Sequence, residues 1–159
     1  MKKIYNSKSK RIHRRRSNIV PAGDPPPSSR RIMLADDDVI LQRAFRREAI
    51  KNGDQPIQET KGRETVNRAA AANPDVIVLD LAFADADGRD VLAQLKTDER
   101  TAHIPVVVWS SGRFDTGSDS RVVLSLGAEA YVEKSGTNLL MKKLDRVLLR
   151  LASDRAPSA

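Results

Sequence analysis

Four short apolar runs punctuate the chain, and each ends on a polar side chain. Ile32-Met33-Leu34-Ala35 runs into Asp36-Asp37-Asp38, and Val76-Ile77-Val78-Leu79 runs into Asp80. Val106-Val107-Val108-Trp109 runs into Ser110, and Ala130-Tyr131-Val132-Glu133 runs into Lys134. Runs of this length bounded by polar or turn-forming residues read as short buried strands. Between them the apolar positions recur at helical spacing.

The first strand is expected over Arg31 to Asp36. A helix follows from about Val39 to Asn52, with Asp38 as N-cap and Gly53 closing it. Its apolar positions are Ile40, Leu41, Ala44, Phe45 and, after an interruption at Glu48, Ala49. A weaker strand around Gln55 to Thr60 contains Pro56, which restricts it to a sheet edge or a strand start. Further helices are expected over Arg63 to Ala72, Arg89 to Thr97 (after Asp87-Gly88), Asp119 to Leu126 (ended by Gly127) and Asn138 to Leu151. The last carries Leu139, Leu140, Leu144, Val147, Leu148 and Leu151 on one face. Strand and helix alternate through five βα units, which predicts an α/β fold with a parallel sheet covered on both faces. The flavodoxin-like, doubly wound order 2-1-3-4-5 puts the proline-bearing second strand at an edge, where it is tolerated.

In such a sheet, ligands lie outside the carboxyl ends of the strands. The acids, the serine and the lysine all fall there. Oxygen ligands in this number suit Mg²⁺, which keeps several waters. Asp37 and Asp80 can supply carboxylates, and Asp36 can hold a metal-bound water. Asp38 is read as a helix cap. Asp80, ending an apolar strand beside a metal, can act as a nucleophile and form an acyl phosphate. Ser110 can donate to a phosphoryl oxygen, and Lys134 can pair with the phosphate or with Asp80.

Charge divides the chain. Residues 1–31 hold ten Lys or Arg against the single acid Asp24, a net +9, whereas residues 32–159 hold 18 basic and 20 acidic residues, a net −2. The total of +7 therefore belongs to the N-terminal segment and does not describe a basic domain. Residues 1–30, with the basic run Lys8 to Arg16 and Pro25-Pro26-Pro27, are expected to form a disordered tail. The folded domain is expected over 31–152 and a short C-terminal tail over 153–159. There is no cysteine, hence no disulfide framework or thiolate metal site. No apolar run approaches the roughly 18 residues of a membrane span. A cytoplasmic protein is expected.

The same residues carry a resemblance over about 31–152. Acids after strand one, Asp80 after strand three, Ser110 after strand four and Lys134 after strand five resemble the receiver domain of two-component response regulators. So do Pro74-Asp75-Val76-Ile77-Val78-Leu79-Asp80-Leu81, the turn Asp87-Gly88, His103-Ile104-Pro105-Val106-Val107 and Gly127-Ala128-Glu129-Ala130-Tyr131-Val132-Glu133-Lys134. The resemblance implies that Asp80 is the phosphoacceptor. It implies that Asp36, Asp37, Asp80 and the Ala82 backbone carbonyl hold Mg²⁺, and that Ser110 and Lys134 contact the phosphoryl group. Tyr131 would be the aromatic switch. The phosphate would come from a histidine kinase or histidine phosphotransfer protein, and a downstream protein target would read the changed surface. The chain would be no enzyme beyond catalysing its own phosphorylation and dephosphorylation. No output domain follows Leu151, so a stand-alone, single-domain regulator is expected. The sequence departs from the family pattern at Ser135 and Ala84, where the family usually has proline, and Gly112 and Ala82 near the site are small.

Two other functions are weighed against this one. A receiver-regulated nucleic-acid binder would have to work through residues 1–30, whose Lys and Arg lack interleaved aromatics and suit phosphate contacts rather than base reading. An aspartyl-nucleophile phosphatase of the haloacid type needs a second acid two residues after the first, and that position is Ala82.

Overall fold

The computed structural model describes residues 29–111 and 118–154, Ser118 through its backbone alone. Residues 1–28 of the tail expected over 1–30, Gly112 and residues 155–159 lie outside the described residues.

The sheet has five parallel strands in the order β2-β1-β3-β4-β5. They are β1 (Arg31–Ala35), β2 (Gln55–Glu59), β3 (Val76–Leu79), β4 (Val106–Ser110) and β5 (Ala130–Glu133). Successive strand residues point to opposite faces, so the apolar runs divide into two cores. Ile32, Leu34, Val76, Val78, Val107, Trp109 and Val132 pack against α1 (Val39–Lys51) and α5 (Thr137–Asp154). Met33, Ala35, Ile77, Leu79, Val106 and Val108 pack against α2 (Thr65–Ala72), α3 (Gly88–Thr97) and α4 (Ser118–Ser125). Burial on both faces is why β1, β3 and β4 read as unbroken apolar runs rather than alternating ones. β5 at the rim is half-buried, and Glu133 is exposed. Pro56 lies opposite Ile32 in the other edge strand, as the missing N–H requires.

Local signals set the turns. The Asp38 carboxylate accepts from the N–H groups of Ile40 (2.8 Å) and Leu41 (3.1 Å), so it caps α1 as expected. The Asp87 carboxylate caps α3 through the Arg89 N–H at 2.8 Å. α2 starts later than expected, because Gly62–Glu64 first makes a 3₁₀ turn. α5 runs through Asp154, so residues 153 and 154, assigned by sequence to a tail, complete a helical turn.

Two helices present different faces from those their apolar spacing suggests. Ile40 is 75% exposed, and Gln42 lies in the buried stripe with Phe45 and Ala49. On α5, Leu139 is 40% exposed, while Met141 joins Leu140 and Leu144 inside. Both displaced residues lie one position from a residue that is buried or half-buried. A short, nearly continuous apolar cluster fixes the helix but not its rotation.

Arg30 marks another difference. Assigned by charge to the tail, it is bound into the domain. Its guanidinium meets the buried Asp54 carboxylate through two bonds of 2.8 and 2.7 Å and reaches Asp145 of α5 at 2.6 Å. Its carbonyl accepts the Gln55 N–H at 2.7 Å, which starts the β1–β2 pairing. Arg30→Ala is expected to cost about 2 kcal/mol, because it leaves the Asp54 carboxylate buried without its cation. Urea denaturation checks this, and removing residues 1–29 with Arg30 kept should cost far less.

Candidate functional site

The strand ladders continue one residue beyond the sheet and so fix the backbone of each functional side chain. The Asp36 N–H donates to Glu59 O at 3.0 Å, the Asp80 N–H to Ala35 O at 2.9 Å and the Lys134 N–H to Ser110 O at 2.8 Å. Asp36 and Asp80 thus stand side by side at the carboxyl edge, and Lys134 stands at the end of the outer strand, beyond Ser110.

Asp36 and Asp80 are buried and Asp37 is exposed, yet one oxygen from each lies within 4.8 Å of the others. Backbone donors orient all three. Asp36 Oδ1 accepts from the Asp38 N–H at 2.9 Å, Asp80 Oδ1 from the Leu81 N–H at 2.8 Å, and Asp37 Oδ2 from the Ala84 N–H at 2.8 Å. The Lys134 ammonium donates to Asp36 Oδ2 at 2.7 Å and lies 3.1 Å from Asp80 Oδ2. It also stands 5.6 Å from the centroid of the buried Trp109 ring, a cation–π distance.

Burial pushes the Asp36 carboxyl above its usual range, against the opposing pull of the Lys134 hydrogen bond and the Asp38 N–H. Burial also acts to lower the Lys134 ammonium. The hydrogen bond and charge of Asp36, with the charge of Asp80, outweigh it, so the lysine sits above its ordinary value. A cation clamped between two buried acids is the electrostatic centre of this edge.

The other sequence-selected residues lie around it. Ser110 ends β4, half-buried and opposite Glu133 in the register. Ala82 is exposed in the β3–α3 loop and forms an isolated antiparallel bridge with Asp87. Tyr131 lies opposite Val108 on β5 and packs, half-buried, against the α2–α3–α4 core. Neither proline departure disturbs the frame. Lys134, before Ser135, is anchored by its backbone and by its ammonium. At Ala84 the departure supplies the N–H that binds Asp37, a donor proline does not have.

Sequence reasoning missed that donor, and it missed Gln42. The available signal for Gln42 was a polar residue three before Phe45, on the stripe that must be buried.

The chain belongs to the response regulator receiver domain family, whose family model matches residues 32–145. The polar-differentiation response regulator DivK of Brucella ovis is 30% identical over 92 residues, covering 58% of this chain and 73% of that protein. A response regulator structure from Desulfuromonas acetoxidans superposes with a TM-score of 0.68 at 27% identity, covering 77% of this chain and 98% of the other. The chemotaxis response regulator CheY4 of Vibrio cholerae shares the fold with a TM-score of 0.68 at 18% identity, covering 76% of this chain and 99% of the other. This is a signalling family of two-component systems. Its receiver domains bind Mg²⁺ at an acidic pocket and interact with histidine kinases or phosphotransfer proteins. No helix among the described residues is long and apolar enough to cross a membrane.

Proposed function

We propose that this protein is a response regulator that accepts a phosphoryl group on Asp80 from a histidine kinase or histidine phosphotransfer protein. The observation that carries this reading is the Lys134 ammonium held between Asp36 and Asp80, with Asp37 close enough to share a cation. Hard carboxylate oxygens within 4.8 Å of one another fit Mg²⁺. Asp36, Asp37, Asp80 and the Ala82 carbonyl would hold the ion, and its charge would offset that of the phosphoryl oxygens.

An Asp80 carboxylate oxygen attacks phosphorus. The new P–O bond forms as the donor's P–N bond breaks, and the electron pair stays on the imidazole nitrogen. Lys134, already beside Asp80, pairs with a phosphoryl oxygen, and Ser110 donates to another. Tyr131, on β5 beside β4 and three residues before Lys134, transmits the change toward α4. A downstream protein target reads that surface in the cytoplasm.

Labelled phosphate tests this. With Mg²⁺ and a small phosphodonor the protein should gain one acid-stable, base-labile phosphate, and Asp80→Asn should gain none. Equal labelling of that variant sinks the assignment. Trp109 is the sole tryptophan and lies under Lys134. Its fluorescence should therefore change with Mg²⁺ and beryllofluoride, and Asp37→Ala should abolish the change. A silent Trp109 in a protein that takes up phosphate would count against this arrangement of the lysine.

A further inference from the structure

We infer that Gln42 is a positioning residue for the acidic pair, setting the peptide that joins Asp36 to Asp37. This rests on the metal-binding role proposed for those acids.

Gln42 is 2% exposed and reaches from α1 to the carboxyl ends of β1 and β2. Its Nε2 donates to Leu34 O at 3.1 Å, Asp36 O at 2.9 Å and Glu59 O at 2.8 Å. An amide nitrogen has two hydrogens, so at least one is shared between carbonyls. Its Oε1 accepts from Gln58 Nε2 at 3.2 Å. The opposite amide orientation would set an oxygen against three carbonyl oxygens, so the surroundings fix which end faces the strands.

The Asp36 carbonyl belongs to the peptide between the two acids. Asp36 is therefore gripped on both sides, by its own N–H on Glu59 O and by its C=O on Gln42. Rotation of that peptide would swing the Asp37 side chain relative to Asp36. Burying an amide in an otherwise apolar stripe is costly unless it is bonded. Here each bond falls at the strand ends that carry the site. An apolar residue would fill the stripe but leave this peptide without its clamp.

Gln42→Met keeps length and approximate volume but removes the donors. It is expected to weaken Mg²⁺ binding about tenfold, read by Trp109 fluorescence and by calorimetry. Without metal, the Asp36 and Asp38 amides should exchange faster with solvent while those of central β3 stay protected. Gln58→Ala removes only the bond at Oε1 and should leave Mg²⁺ affinity within about twofold of the parent. If Gln42→Met fails to fold, Gln42→Leu, which is equally free of donors and suits the apolar stripe around it, provides the comparison. A folded donor-free variant that binds Mg²⁺ as the parent does overturns the inference while leaving the proposed function standing. A parent protein that binds no Mg²⁺ overturns both.

Discussion

Replacing Lys134 with methionine is expected to slow phosphorylation of Asp80 about a hundredfold, the usual scale for losing one charged group aimed at the reacting centre. In Mg²⁺-free solution it is also expected to cost about 3 kcal/mol of stability. The two effects have one origin. The Asp36 and Asp80 side chains are 1% and 6% exposed, and Lys134, at 19%, is the cation between them. Methionine preserves the apolar stem packed near Trp109 and removes only the charge, leaving two buried acids to repel each other. Mg²⁺ should narrow the stability gap by returning positive charge to the same place. Adding Asp80→Asn to Lys134→Met should recover much of the stability, since one of the two acids becomes neutral, without recovering phosphorylation. Urea denaturation of the parent, both single variants and the double variant measures the coupling. A Lys134→Met protein as stable as its parent without Mg²⁺ would mean that the bridge holds nothing together.

The order of elements was legible because a parallel sheet buried on both faces writes itself as apolar runs, and because chemistry at the carboxyl edge ends those runs in polar residues. Asp36, Asp80 and Lys134 could be placed together from topology alone. What the sequence concealed is set by side-chain direction. Ile40 looks like core and faces solvent, while Gln42 looks like surface and is buried. The two residues are two positions, about 200°, apart around α1, and packing against β1 and β2 decides which of them faces inward. Backbone donors are equally silent. No residue type announces that the Ala84 N–H will bind Asp37 Oδ2 at 2.8 Å, although a missing proline at that position is what permits it. The helical continuation to Asp154 has no residue-level stop signal before it, which is why a boundary at 152 fell short.

Charge bookkeeping needs the same correction at one position. The excess of +9 in residues 1–31 includes Arg30, and that guanidinium is already committed to Asp54 and Asp145. A polyanion competing for it would have to break a bidentate pair with a buried acid. A nucleic-acid reading would thus rest on cations before residue 29, outside the described residues, while the domain that follows is slightly acidic.

Gly88→Ala is expected to destabilise the fold by about 3 kcal/mol, the upper end for a single forced contact. The reason is space. A Cβ at residue 88 would stand 2.4 Å from the Asp80 carbonyl oxygen, 2.4 Å from Leu81 Cα and 2.9 Å from Leu81 C. All three are backbone atoms, so no side-chain rotation relieves the clash. The Gly88 N–H donates to Leu81 O at 3.0 Å and holds the start of α3 against the end of β3. Making room means moving that start outward, which loosens Val91, Leu92 and Leu95 in the core, or displacing the peptide that carries Asp80. The second route misplaces Asp80, the proposed phosphoacceptor, so phosphorylation should fall even at temperatures where the variant is folded. Gly53→Ala is the matching control. Gly53 has φ +81°, and a Cβ there would meet nothing within 4 Å, so the change should cost about 1 kcal/mol through backbone strain. It should leave phosphorylation unchanged, since the turn after α1 is at the opposite end of the strands. Equal losses in the two variants would mean that the contact between α3 and β3 is not what confines residue 88 to glycine.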